Sequence, residues 1–212
     1  MKTVICSHGF GVDATDRGLF TDIAAAFPGY RFIMFDYNIV DAVGNMTVRT
    51  LAQQTEMLIE KIAEADGEVM LLCHSQGCIT AALADLTGVT SMVWLTPPDN
   101  LDIPRFVGIF GSRAGANFNP DGVSSIPRRD GTVTYIGKDY LESIGKVDAL
   151  GAYTKAAAQC PTTLIRATND EIVGETEFPG VPASVLTLSG THDFSGQARA
   201  GLIKKLKGIL EE

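Results

Sequence analysis

One stretch, Val69-Met70-Leu71-Leu72-Cys73-His74-Ser75-Gln76-Gly77, constrains the fold of this chain more than any other. Its apolar residues run into two small ones, Ser75 and Gly77, and an alanine-rich segment, Cys78–Ala84, follows at once. The apolar run has the length of a buried strand, and the Ala/Leu segment reads as a helix. Between them the chain must reverse sharply. A serine at such a corner projects its hydroxyl outward, into space that the first backbone N–H groups of the helix also face. Those groups carry the positive end of the helix dipole and stabilise negative charge. The corner therefore suits attack on a carbonyl; its plainer reading is a strand-to-helix turn with a serine N-cap.

The alternation continues on both sides of this corner. Thr3–Cys6 predicts a first strand that empties into the loop Ser7-His8-Gly9-Phe10-Gly11. Leu19, Phe20, Ile23 and Phe27 recur at helical spacing over 16–27, and Pro28-Gly29 ends that segment. A second strand is expected at 31–35 and a second helix at 47–65, with Leu51, Leu58 and Ile62 on one side. After the corner come a helix from 76 to 86 and a strand at 91–96, ended by Pro97-Pro98. Short connections between alternating strands and helices imply an α/β fold: a mostly parallel, doubly wound sheet with helices on both faces.

The rhythm breaks between 100 and 152, a segment rich in Gly, Pro, Asn and Arg that carries Phe106, Ile109, Phe110 and Phe118. Asp130-Gly131 marks a turn, 133–136 reads as a hairpin strand, and 139–159 is helix-like. An insertion of this length is expected to be a small cap or lid within a single domain spanning 1–212. The rhythm then resumes with strands at 162–167 and 184–188 and an amphipathic helix at 194–210.

At 212 residues the chain can bury a sizeable core. A net charge of −8 argues against nucleic acid as a partner, because phosphate binding needs a basic surface. No apolar run approaches a membrane span, and no signal-peptide pattern stands at the start, so a cytoplasmic location is expected. Cys6, Cys73, Cys78 and Cys160 are scattered, with no paired metal motif and no disulfide framework.

Reacting groups in an open parallel sheet collect at the carboxyl ends of its strands. Four such ends carry useful residues here: His8-Gly9-Phe10, Ser75-Gln76, Asp170 and His192. A serine hydroxyl needs a base to take its proton, and the base works best when a carboxylate orients it. The order Ser75, Asp170, His192, with the corner before it, resembles the α/β-hydrolase superfamily, specifically a small esterase-like serine hydrolase. The corner departs from that family's Gly-x-Ser-x-Gly elbow, because Cys73 stands where the first glycine would be. The resemblance implies Ser75 as nucleophile, His192 as base and Asp170 as orienting acid. It also implies the backbone N–H groups of Phe10 and Gln76 as an oxyanion hole. Asp99 and Asp102 are reserve acids, and His8 and His74 are expected to be structural. Phe106, Phe110 and Phe118 are candidate walls of a substrate pocket. The activity implied is hydrolysis of a small-molecule carboxylic ester through an acyl-enzyme. The same machinery opens thioesters and some amides, and a non-catalytic binding protein of the same fold is the alternative. A small-molecule acyl substrate is the implied partner, with no metal or organic cofactor.

Overall fold

The structure, a computed structural model, describes residues 2–211. Strands β1 (Lys2–Ser7), β2 (Arg31–Met34), β5 (Glu68–His74), β6 (Val89–Leu95), β9 (Thr162–Ala167) and β10 (Ser184–Leu188) form one sheet. Its order is β10-β9-β6-β5-β1-β2, and every neighbouring pair is parallel. The strand that ends at Ser75 thus lies inside the sheet, between β6 and β1. Val69 through His74 are all buried, as expected for a strand covered on both faces.

Alternate residues divide the core into two halves, because successive strand side chains point to opposite faces. Val4, Cys6, Met70, Leu72, Val93 and Leu95 face α1 (Leu19–Ala26) and α7 (Gln197–Leu210). Ile5, Leu71, Cys73, Trp94 and Leu164 face α2 (Leu51–Ala63), α3 (Gln76–Leu83) and α6 (Ala149–Gln159). The α/β class read from the sequence is the architecture observed. Among the described residues no helix is long and apolar enough to cross a membrane.

The structure corrects the sequence reading at three places. First, β3 (Ile39–Val40) and β4 (Met46–Val48) form an antiparallel pair where a loop and the start of a helix were expected. The helix begins only at Leu51, because Thr50 caps it: its side chain accepts from Gln53 N, and the Gln53 side chain accepts from Thr50 N. Second, the segment after β6 contains α4 (Ile103–Gly111), which Asp102 caps and which carries a proline in its first turn. Third, the helix expected over 139–159 is two, α5 (Lys138–Ile144) and α6, separated where Asp148 caps α6 by accepting from Gly151 N at 3.0 Å. The hairpin around Asp130-Gly131 is β7 (Val123–Pro127) and β8 (Val133–Gly137). β8 pairs parallel with β4, so a second, four-stranded sheet β3-β4-β8-β7 joins the excursion after β2 to the segment after β6.

Candidate active site

Ser75 occupies the turn between β5 and α3 with φ 53° and ψ −124°. A non-glycine residue there is strained by an amount of order 1–3 kcal/mol, and the surroundings must hold it. Two contacts do so. Ser75 N donates to Leu95 O at 2.9 Å, tying the corner to β6. Gly77 packs so closely under β1 that a β-carbon on it would lie 2.0 Å from Ser7 O. The second glycine of the corner is therefore obligatory. The first is not: Cys73 is fully buried in the core, and burial pushes its thiol pKa far up, so it stays a neutral packing group.

His192 and Asp170 reach Ser75 from the loops after β10 and β9. His192 Nε2 lies 2.9 Å from Ser75 Oγ, and its Nδ1 lies 2.8 and 3.0 Å from the two carboxylate oxygens of Asp170. Burial opposes ionisation of Asp170, but the bond from His192 and the N–H groups of Val173 and Ile172 (2.8 and 3.0 Å) outweigh it. Its pKa falls below the usual carboxylate value. With the carboxylate accepting at Nδ1, Nε2 is the free nitrogen that faces the hydroxyl. The pKa of His192 is lowered, chiefly by burial and then by the charge of His74, against the opposing pull of Asp170. The imidazole is thus neutral near pH 7, as a proton acceptor must be.

The other acids and histidines separate by geometry. Glu171 accepts from His192 N at 3.1 Å; Asp99 pairs with Arg105 at 3.2 Å; Asp102 caps α4, accepting from Arg105 N at 3.1 Å. None of them reaches the imidazole of His192. His8 donates from Nδ1 to Gly9 O at 2.8 Å and accepts at Nε2 from Tyr37 N at 3.0 Å, which fixes a neutral tautomer that braces the loop after β1.

His74 is different, and the sequence reading missed its partner. Its Nδ1 lies 2.6 Å from Asp16 Oδ2 and its Nε2 lies 3.1 Å from His192 O. A carboxylate and a carbonyl both accept, so both ring nitrogens carry protons and the buried pair is ionic. Burial alone would raise the pKa of Asp16, but the charge and bond of His74, with the N–H of Gly9 at 3.0 Å, bring it down to about 2. The pair therefore ties the Gly9 backbone to the backbone of His192, which Thr96 Oγ1 also holds at 2.9 Å.

The N–H groups of Phe10 and Gln76 donate to no protein acceptor among the described residues, and both residues share a pocket wall with Ser75. The Gln76 side chain is held elsewhere. It accepts from Tyr140 Oη and donates to Gln54 Oε1 at 2.9 Å, and Gln54 donates to Arg49 O at 2.7 Å. Gln54 shares the buried stripe of α2 with Leu51, Leu58 and Ile62. A glutamine on an apolar stripe was the signal available in the sequence for this buried chain.

A pocket opens beside Ser75, its wall formed by Phe10, Leu101, Phe106, Ile109, Phe110 and Tyr140 among others. The rings of Phe10 and Phe106, and of Phe106 and Phe110, lie 4.9 and 4.7 Å apart. Phe118 is not on this wall. It stands 6.1 Å behind Phe106 and packs against Gly111, a correction to its expected place that follows from the fold of α4.

No protein-family profile matches this chain, and no curated protein matches it. Solved structures do. A protein named Est1E from Butyrivibrio proteoclasticus matches with a TM-score of 0.66 at 15% identity, over 99% of this chain and 86% of its own. A structure described under LipS and LipT, two metagenome-derived lipolytic enzymes, gives 0.70 at 14%, over 99% and 93%. A monoacylglycerol lipase of Paleococcus ferrophilus gives 0.66 at 15%, over 98% and 93%. Identities this low speak to architecture alone, and over the whole chain that architecture is one: the chain has the α/β-hydrolase fold.

Proposed function

We propose that this protein is a serine hydrolase that cleaves a small-molecule carboxylic ester through an acyl-enzyme. The observation that carries the reading is the continuous chain Asp170–His192–Ser75, with contacts of 2.8 and 2.9 Å. Ser75 Oγ attacks the ester carbonyl while its proton passes to His192 Nε2. The oxyanion that forms accepts from Phe10 N–H and Gln76 N–H, and loss of one such donor costs about 3–4 kcal/mol of transition-state stabilisation. The carbon–oxygen bond then breaks, and the leaving alkoxide takes the proton from His192. Water attacks the acyl carbon with His192 as base, the bond to Ser75 Oγ breaks, and the proton returns to Ser75. No step calls on a metal or an organic cofactor. Residues 100–152 serve as the cap that supplies most of the apolar wall of the substrate pocket. The esterases and lipases of the same architecture support hydrolysis of an ester over other uses of the fold.

A fluorophosphonate probe tests the reading. Native protein should be labelled at Ser75, and Ser75→Ala should not. A folded native protein that takes no label and turns over no p-nitrophenyl ester would overturn it in favour of a binding role.

A further inference from the structure

Two pockets meet at Ser75, and they differ in charge. The apolar cavity contains Gln76 but not His192. The other, which shares Phe110 with it, contains His192, Asp16, Arg17 and Arg113. On the proposed mechanism the leaving group takes its proton from His192, so the leaving group occupies the second pocket and the acyl chain the first. Asp16 in the second pocket is neutralised by His74 at 2.6 Å. Arg17 and Arg113 are not neutralised: among the described residues neither side chain makes an ion pair or a hydrogen bond. Arg105, Arg128 and Arg199 are instead answered by Asp99, Asp130 and Asp22.

Both residues are exposed and line the pocket. Arg113 stacks over the Phe110 ring, 5.0 Å from its centroid. Arg17 lies in a turn of three consecutive left-handed residues, Asp16, Arg17 and Gly18, with φ of 49°, 56° and 83°. That turn sends the Asp16 carboxylate inward to His74, and Arg17 lines the pocket. Desolvation and then the charges of Arg17 and Arg129 lower the pKa of Arg113. Asp193 feels the charge of Arg17 but is bound to Thr191 and Ser195.

We infer that the pocket holding Arg17, Arg113 and His192 receives an anionic leaving group, so that the substrate is an ester of an apolar acid with an alcohol bearing a carboxylate or a phosphate. This rests on the hydrolase reading and goes beyond it. The test compares butyrate esters of 4-hydroxybenzamide, 4-hydroxybenzoate and 4-hydroxyphenyl phosphate, each kcat/KM divided by that ester's rate in hydroxide to remove intrinsic reactivity. Native protein should favour one or both anionic esters over the amide, and the more favoured of the two identifies the group. Arg17→Gln and Arg113→Gln should each cut that preference about five- to tenfold, and added salt should shrink it. Turnover of all three esters without an anionic preference, or a preference that survives the double variant, would overturn the assignment while leaving the hydrolase intact. Turnover of none would overturn both.

Discussion

Asp16→Asn isolates the buried ion pair beneath the site. One atom, Asp16 Oδ2, receives both the Gly9 N–H at 3.0 Å and the His74 ring at 2.6 Å. An asparagine oxygen in its place accepts both bonds, so the variant removes the charge and keeps the geometry. The folded carboxyl has a pKa of about 2 against an ordinary 3.8. That depression corresponds to about 2–3 kcal/mol of stability, full above the unfolded value and lost as the pH falls through the folded one. His74 runs the other way. Its pKa is raised, burial being outweighed by Asp16. Its share is full below about 6.5 and is lost as the pH rises through the raised value. Between the two limits, at about pH 5–6, the pair contributes most. Urea unfolding followed by the fluorescence of the single tryptophan, buried Trp94, measures the difference. Asp16→Asn should be about 2–3 kcal/mol less stable at pH 5.5, and the gap should close towards pH 2. Equal stability at pH 5.5, or a gap that persists unchanged at pH 2.5, would refute an ionic pair.

Other outcomes follow from the same geometry. His192→Ala should leave the fold intact and lower ester turnover at least about a thousandfold, read as kcat on p-nitrophenyl butyrate. Asp170→Asn should cost about 10⁴ in kcat by losing the carboxylate that orients the imidazole. Because the pKa of His192 is lowered and the neutral ring is the active form, kcat/KM should rise with pH through a midpoint below the ordinary 6.5 and plateau near neutrality. Gly77→Ala drives a methyl to 2.0 Å from Ser7 O, so it should lose about 3 kcal/mol or more in urea unfolding, or fail to fold.

Local chemistry in the sequence is enough to read the alternating framework. The boundaries of β5, β9 and β10 follow from apolar runs bounded by turn residues, and the Asp-Gly turn places the β7–β8 hairpin. The same reading places Ser75, Asp170 and His192 at strand ends, because a parallel sheet leaves those ends open. It fails where a segment takes its conformation from distant partners. Thr47 and Val48 read as the start of a helix, and become strand because β8, some 88 residues later, offers a ladder at that point. Thr47 and Val48 are β-branched, so propensity was balanced and tertiary pairing decided.

The site divides in the same way. Residue types and order alone name a hydroxyl, a carboxylate and an imidazole, and mark Gly77 as the residue a sharp corner demands. Only the folded chain decides that Asp16 meets His74 across 58 positions, that Gln76 hangs from Tyr140 and Gln54, and that Phe118 supports the pocket wall instead of forming it. The physical reason is range. Periodicity and turn chemistry act over a few residues, whereas the charge state of a buried histidine depends on which acceptors the whole fold brings to its two nitrogens.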